Sequence, residues 1–356
     1  MNKRIEEARA IIGNIEKVKL GFFPSPLQRL DRLSERLGVE IYLKRDDLTG
    51  ISQFGGNKVR KLEYLMAHAL GEGADTIFTY GASQSNHAMQ TVTACRRLGL
   101  HPILYLTNFI GSDQENPYGN LLLDRIMGAE IHLEPSDGVD MMVAEERIRE
   151  EVKMRMETLK AEGRTCYEIP MGGANAIGSL GFVEAYVELV EDLQRIGKSA
   201  QYLYHATGTG GTLAGLVAGK KLLQSEIKIR SIGVGIGGEG YEERVVHHAN
   251  GALDLLNRPE RVLQEDLAVI SGYYGEGYEV PSKEGSRALR LLAETEGIFL
   301  DPVYTAKAFS AMLDHIRKGI IEKDSTVVFW HTGGATALFA ERKILGEFWA
   351  KSSDDL

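Results

Sequence analysis

Short β-rich runs alternate with longer runs of helical period along almost the whole chain, and glycines cluster where the short runs end. That alternation marks crossover units feeding a parallel sheet, so the fold class is α/β. Candidate strands fall at 41–44, 76–80, 102–106, 131–134, 165–169, 202–206, 227–234 and 326–330. The longest helical candidate, 139–162, carries Met141, Met142, Val143, Ile148, Val152 and Met156 among many charged residues, and its charges read as a solvated face. The glycines include Gly55 and Gly56, Gly172 and Gly173, Gly208 to Gly211, Gly233 to Gly238, and Gly333 with Gly334. In open α/β sheets ligands bind beyond the carboxyl ends of strands, where backbone must approach them closely and a Cβ would clash. No repeat, low-complexity tract or Pro-rich linker separates two halves, so two domains would be interwoven.

Composition narrows the function classes. A chain of 356 residues suggests about two domains. A net charge of -9 offers no global positive field for nucleic acid or an anionic membrane. Any anionic ligand must be held locally. Cys95 and Cys166 form neither a disulfide framework nor a metal-spaced cluster, so a reducing, cytoplasmic setting is expected, with no metal. Residues 1–20 form a charged amphipathic stretch with Ile5, Ile11, Ile12 and Ile15, without the apolar core of a secretory signal. No run has the length of a membrane span. The acidic tail, 352–356, reads as a frayed end.

Three strand-to-helix junctions could carry chemistry. Thr207, Gly208, Thr209, Gly210, Gly211 and Thr212 follow a strand and open a helix, which would present amides and hydroxyls to a phosphate. No Lys-Ser/Thr pair follows, so this is not a Walker A loop; a packing turn is the bland alternative. Gly55-Gly56-Asn57-Lys58 places Lys58 at a helix start, with Arg60 and Lys61 expected to disfavour a further charge on its amine. Lys58 is thus either a Schiff-base lysine or an ordinary solvated one. At Ser85-Asn86-His87 a plain N-cap competes with a ligand site. Gly233 to Gly238 also matches G-x-G-x-x-G, with Asp254 near the ribose-binding spacing, but Glu239-Gly240-Tyr241 breaks the apolar helix start that a nicotinamide site needs.

In this order the three junctions resemble the pyridoxal phosphate enzymes of the tryptophan synthase β type, fold type II. More narrowly they are similar to the branch holding D-cysteine desulfhydrase and 1-aminocyclopropane-1-carboxylate deaminase. The likeness runs from Pro24-Ser25-Pro26 through Lys44-Arg45-Asp46-Asp47 to Thr332-Gly333-Gly334. It implies two open, twisted, mainly parallel sheets flanked by helices: a large domain of 1–60 and 166–356, a small one of 61–165, and the cofactor, pyridoxal 5'-phosphate, in the cleft between them. Lys58 would hold the cofactor covalently, Asn86 would face its ring oxygen, and the 207–212 loop with Lys61 would receive its phosphate. Tyr278 and Tyr304 would cover the substrate, with Ser85, Asn86 and His87 around its carboxylate and leaving group. The deaminases of this branch carry a glutamate where Thr305 stands and a glutamine where His87 stands. A neutral hydroxyl, Thr305 or Thr332, opposite the ring nitrogen makes a weaker electron sink, enough to expel a good leaving group from Cβ. The implied activity is α,β-elimination on a small β-substituted amino acid, D-cysteine first. Cysteate sulfo-lyase or another β-elimination, the ring-opening deaminase and a non-catalytic sensor are the alternatives. A homodimer is implied by analogy.

Overall fold

The computed structural model describes residues 2–113, 115–139, 141–235 and 238–340. The expected frayed tail, and residues 236 and 237 of the Gly233 to Gly238 run, lie outside them. The first half of the chain contains α1 (Asn2–Ile12), β1 (Leu27–Arg29), α2 (Asp31–Leu37), β2 (Glu40–Arg45), α3 (Lys58–Gly71), β3 (Thr76–Ala82), α4 (Asn86–Leu98), β4 (His101–Asn108), α5 (Gly119–Ile126), β5 (Glu130–Pro135), α6 (Met141–Ala161) and β6 (Cys166–Ile169). The second contains α7 (Ala176–Arg195), β7 (Tyr202–Thr207), α8 (Gly211–Leu223), β8 (Lys228–Gly233), α9 (Tyr241–Leu255), β9 (Val269–Ile270), α10 (Lys283–Glu296), α11 (Thr305–Arg317) and β10 (Thr326–His331).

Two sheets result. One has six strands in the order β1-β2-β10-β7-β8-β9, parallel except for β1; the other is fully parallel, in the order β5-β4-β3-β6. β10 shows why the six-stranded sheet is covered on both sides. Val328 and Trp330 pack with α7, α8 and α9 on one face, while Val327 and Phe329 pack with α10 and α11 on the other. In the four-stranded sheet Phe78 and Tyr105 meet Ile148 and Val152 of α6, and Ile77 meets Leu62 and Leu65 of α3.

The α/β class and every candidate strand are recovered, with ends shifted by at most two residues. The pattern missed β1 and β9, because edge strands of three and two residues are too short to show a period. The four-stranded sheet also runs past residue 165: β6 pairs in parallel with β3, from Thr76 opposite Cys166 to Thr79 opposite Ile169. On α6 the buried contacts come from Ala144, Ile148, Val152 and Leu159, while Val143 is exposed. Cys95 is buried and Cys166 half-buried; both are free thiols. Among the described residues no helix is long and apolar enough to cross a membrane.

Candidate functional site

The carboxyl ends of β3, β6, β7 and β10 converge on one cleft between the sheets. It is lined by Lys58, Ser85, Asn86, His87, Tyr278, Tyr304 and Thr332, by the 207–210 backbone and by Thr212. Of the residues singled out in the sequence, Lys61, Gly211 and Thr305 do not reach its surface.

Lys58 is the first residue of α3, brought to the cleft by an unusually close passage of backbone. Gly56 forms an antiparallel bridge with Gly333, and a Cβ on Gly333 would lie 2.6 Å from the Gly55 carbonyl oxygen and 2.8 Å from Gly56 Cα. Two glycine pairs thus press the start of α3 against the end of β10. The Asn57 amide donates to the Thr332 carbonyl (3.0 Å), and its side chain donates to Thr212 Oγ1 (3.1 Å). Burial lowers the Lys58 ammonium to about 8. The cause differs from the sequence argument, which gave Arg60 a share. Arg60 points away, ion-paired to Asp46 and Glu188, and helical geometry explains it: two steps of about 100° put it on the far side of α3. Lys61, three steps on, returns to the side of Lys58. Its Nζ donates to the Gly172 carbonyl (3.0 Å), and burial, aided by the charge on Lys58, holds its ammonium well below the ordinary range.

The loop after β7 opens α8 with no side-chain cap, so the first amides of that helix have no internal partner. Gly210 has a φ of 91°, and a Cβ there would meet Val245 at 2.7 Å. Tyr241 braces the loop from behind, its hydroxyl 2.6 Å from Thr207 Oγ1. Gly172 closes the other side: a Cβ on it would stand 2.4 Å from Thr209 Oγ1. Gly211 has turned inward, where a Cβ would meet Ala174 and the Lys61 amine, so Lys61 sits behind the loop.

At the start of α4, Ser85 is both a cap and a cleft residue. Its Oγ accepts the Ala88 amide (3.1 Å), which leaves the hydroxyl hydrogen to donate. Gly81 makes room, since a Cβ there would lie 2.5 Å from Ser85 Oγ. Asn86 Oδ1 accepts from Asn120 Nδ2 (2.8 Å) and Thr336 Oγ1 (3.2 Å), leaving Nδ2 as its donor. His87 has a defined tautomer. Thr79 Oγ1 donates to the Ile169 carbonyl (2.9 Å) and therefore accepts from His87 Nε2 (2.9 Å), so buried Nδ1 carries a lone pair with no hydrogen-bond partner among the described residues. Burial and the two nearby lysines keep the ring neutral.

The opposite wall holds Tyr278 and Tyr304, whose hydroxyls are hydrogen-bonded to each other. Burial raises both phenols above their usual range, so both stay protonated at neutral pH. The pair contains two hydroxyl hydrogens and uses one internally; the other is free to donate. Thr305 serves elsewhere. Its Oγ1 donates to Asp301 Oδ1 (2.6 Å), and the Asp301 carboxylate also accepts from the amides of Val303, Tyr304 and Thr305. Of the two hydroxyls expected opposite a ring nitrogen, only Thr332 faces the cleft. No Asp or Glu lines it among the described residues.

The dinucleotide reading fails on geometry: Asp254 is at the surface, paired with Arg261 (2.7 Å), and Gly235 packs against the Tyr278 ring. Sequence reasoning missed Asn57, Gly172, Asp301 and Gly81. Asn57 lay inside the Lys58 motif, Gly172 in a glycine pair at a strand end and Gly81 just before the Ser85 junction, but the contacts of Asn57 with Thr212 and of Gly172 with Thr209 join distant segments, while Asp301 acts on its own helix start.

These groups fit pyridoxal phosphate: a desolvated amine for its aldehyde, an uncapped helix start for its phosphate, and hydroxyl and amide donors between. Comparison with known proteins agrees. The family model described as "Pyridoxal-phosphate dependent enzyme" matches residues 18–333. A D-cysteine desulfhydrase of Klebsiella pneumoniae (strain 342) is 39% identical over 319 residues, covering 89% of this chain and 93% of that protein. A D-cysteine desulfhydrase of Salmonella paratyphi C is 39% identical over 320 residues, with the same coverage. The crystal structure of an ACC deaminase homologue superposes with a TM-score of 0.82 at 38% identity, covering 94% of this chain and 96% of that one. The match spans both sheets and the cleft between them, and the chain belongs to the pyridoxal-phosphate dependent enzymes.

Proposed function

We propose that this chain is a carbon–sulfur lyase that converts D-cysteine and water to pyruvate, ammonia and hydrogen sulfide. The observation that carries the reading is a desolvated lysine amine in a cleft lined by neutral hydroxyls and amides, with no carboxylate among the described lining residues. The 39% identical D-cysteine desulfhydrases support the choice of substrate.

Pyridoxal phosphate supplies the electron sink that makes the Cα proton removable. The protein's own groups do the rest. The amides of Gly208, Thr209, Gly210 and Thr212 with the α8 dipole would hold the phosphate, and Asn86 Nδ2 would donate to the ring oxygen. Thr332, a neutral hydroxyl, is the partner for the ring nitrogen, a role that leaves Thr305 to cap α11. Ser85 Oγ–H donates to the substrate carboxylate. Lys58 Nζ, poised near neutrality by burial, takes the Cα proton as general base. The free hydroxyl hydrogen of the Tyr278 and Tyr304 pair faces the departing sulfur. Ring opening of a cyclopropane amino acid is the second reading, favoured by the ACC deaminase homologue but not by a carboxylate-free cleft. We further infer that the four-stranded layer moves as a small domain over the cleft, and that the protein works as a homodimer in the cytoplasm.

The test is a substrate panel of D- and L-cysteine, cysteate, β-chloroalanine, diaminopropionate and the cyclopropane amino acid, with keto acid and sulfide measured separately. D-Cysteine should give both products in equal amounts and the highest kcat/KM. A higher kcat/KM for another member, or keto acid without sulfide from D-cysteine, overturns the assignment.

A further inference from the structure

Tyr278 reaches the cleft from 271–281, a segment that is neither helix nor strand, between the end of β9 and Ser282, the N-cap of α10. Its backbone turns through Gly272 (φ 93°), Gly275 (φ 76°) and Glu279 (φ 62°). Within the segment, Val280 N reaches the Gly277 carbonyl at 3.4 Å, and the Tyr274 side chain is hydrogen-bonded to the Tyr278 backbone. A loop without a ladder must be held from outside if its tyrosine is to keep one position.

The hold comes from α11. Lys307 is fully buried, and its Nζ donates to the carbonyl of Gly277, next to Tyr278, at 3.0 Å. The same ammonium lies 5.1 Å from the centre of the Tyr274 ring. One turn earlier, Tyr304 is held by Asp301, whose carboxylate accepts its amide at 2.8 Å. The two tyrosines that share a hydrogen bond are therefore each fixed at adjacent main chain, and both anchors lie within residues 301–307.

We propose that Lys307 is a positioning residue: by holding the Gly277 carbonyl it seats Tyr278 against Tyr304 and so sets the donor that meets the substrate. This deepens the proposed function, since it rests on that tyrosine pair facing the substrate. Lys307 does not line the cleft and touches no reacting atom.

Two readouts test it, one independent of turnover. In Lys307→Met, amide exchange in 271–281 should rise by about 10-fold or more, the scale of losing a charge-assisted hydrogen bond. KM for D-cysteine should rise by a similar factor of about 10, with kcat changed less and the cofactor absorbance retained. Lys307→Gln, which keeps an N–H donor, should restore most of both. Tyr274→Leu, at a partly exposed position, removes both the ring beside the ammonium and the hydroxyl bonded to the Tyr278 backbone, whereas Tyr274→Phe removes the hydroxyl alone; Leu should shift both readouts about 3-fold more than Phe. Unchanged exchange in Lys307→Met, or equal effects of Met and Gln, overturns the proposal. If Lys307→Met does not fold, equal exchange in Tyr274→Leu and Tyr274→Phe does so. Should the wild type fail to turn over D-cysteine, the functional reading falls while the exchange measurement still decides the role of Lys307.

Discussion

Helix α3 buries cations on both of its sides, and treats them in opposite ways. On one side Arg60 is locked to Asp46 and Glu188 by four hydrogen bonds of 2.9 Å, with a fifth of the same length to Ser25. Lys44 joins them, 2.5 Å from Glu188 and 2.6 Å from Asp192, and Trp330 Nε1 donates to Asp46 at 2.8 Å. Every charge there has a counter-charge. Arg60 is driven above its ordinary range, and Glu188 is pulled down to about 2 by Arg60 and Lys44 against the cost of its burial. On the other side, Lys58 and Lys61 have no carboxylate partner among the described residues, and desolvation pushes both down. Compensated charges make a closed ionic floor; uncompensated ones leave two amines below their ordinary range, Lys58 facing the cleft and Lys61 behind the loop on the Gly172 carbonyl.

The largest expected effect separates the two sides by function. Lys58→Ala should abolish turnover and the visible absorbance of covalently bound cofactor, with the fold intact by circular dichroism; near-normal turnover would mean that the reactive side of the helix has been misassigned. Next, Arg60→Met leaves buried Asp46 without a counter-charge and Glu188 with Lys44 alone, and should cost about 3–5 kcal/mol in urea unfolding. A loss under 1 kcal/mol would show that the floor is not compensated as described. The third measurement is stability against pH. The folded Glu188 carboxyl lies below its unfolded value, so its contribution is fully present above about pH 4.5 and disappears as pH falls toward about 2. A shift of that size amounts to roughly 3 kcal/mol, and the acid-side loss should be smaller by about that amount in Glu188→Gln. The smallest effect sharpens the contrast. Lys61→Met removes a buried amine without a counter-ion and should raise the cofactor-free protein's stability by about 1 kcal/mol while weakening cofactor binding. A destabilised variant would put Lys61 with the structural cations instead.

The same helix shows what one sequence can and cannot reveal. Lys58 was legible because it follows two glycines and opens a helix, and the 207–212 loop because glycine and threonine follow a strand. The opposed directions of Arg60 and Lys61 were also within reach, since they follow from angular spacing alone. What lay beyond the pattern was which distant segments meet. Asp301 and Thr305 belong to one local cap, so the hydroxyl expected in the cleft was drawn off by a buried carboxylate that needed donors. Gly172 matters only because Thr209 comes to lie against it. β6 joined the four-stranded layer through a register with β3 that its own residues do not announce. Local chemistry is written locally, while partner choice is a property of the assembled sheets.

The strand order carries a consequence for how the molecule is made. The four-stranded layer uses only residues up to 169, so a growing chain can complete its strands before β7 is synthesised. The six-stranded layer cannot do the same: β10, the last strand to emerge, sits between β2 and β7 near its middle. Until that strand arrives, β2 and β7 have no shared neighbour and Gly56 has no Gly333 to rest on. A nascent chain that has not yet reached residue 333 therefore carries Lys58 without the assembled cleft around it, and the aldehyde cofactor has no finished site to enter.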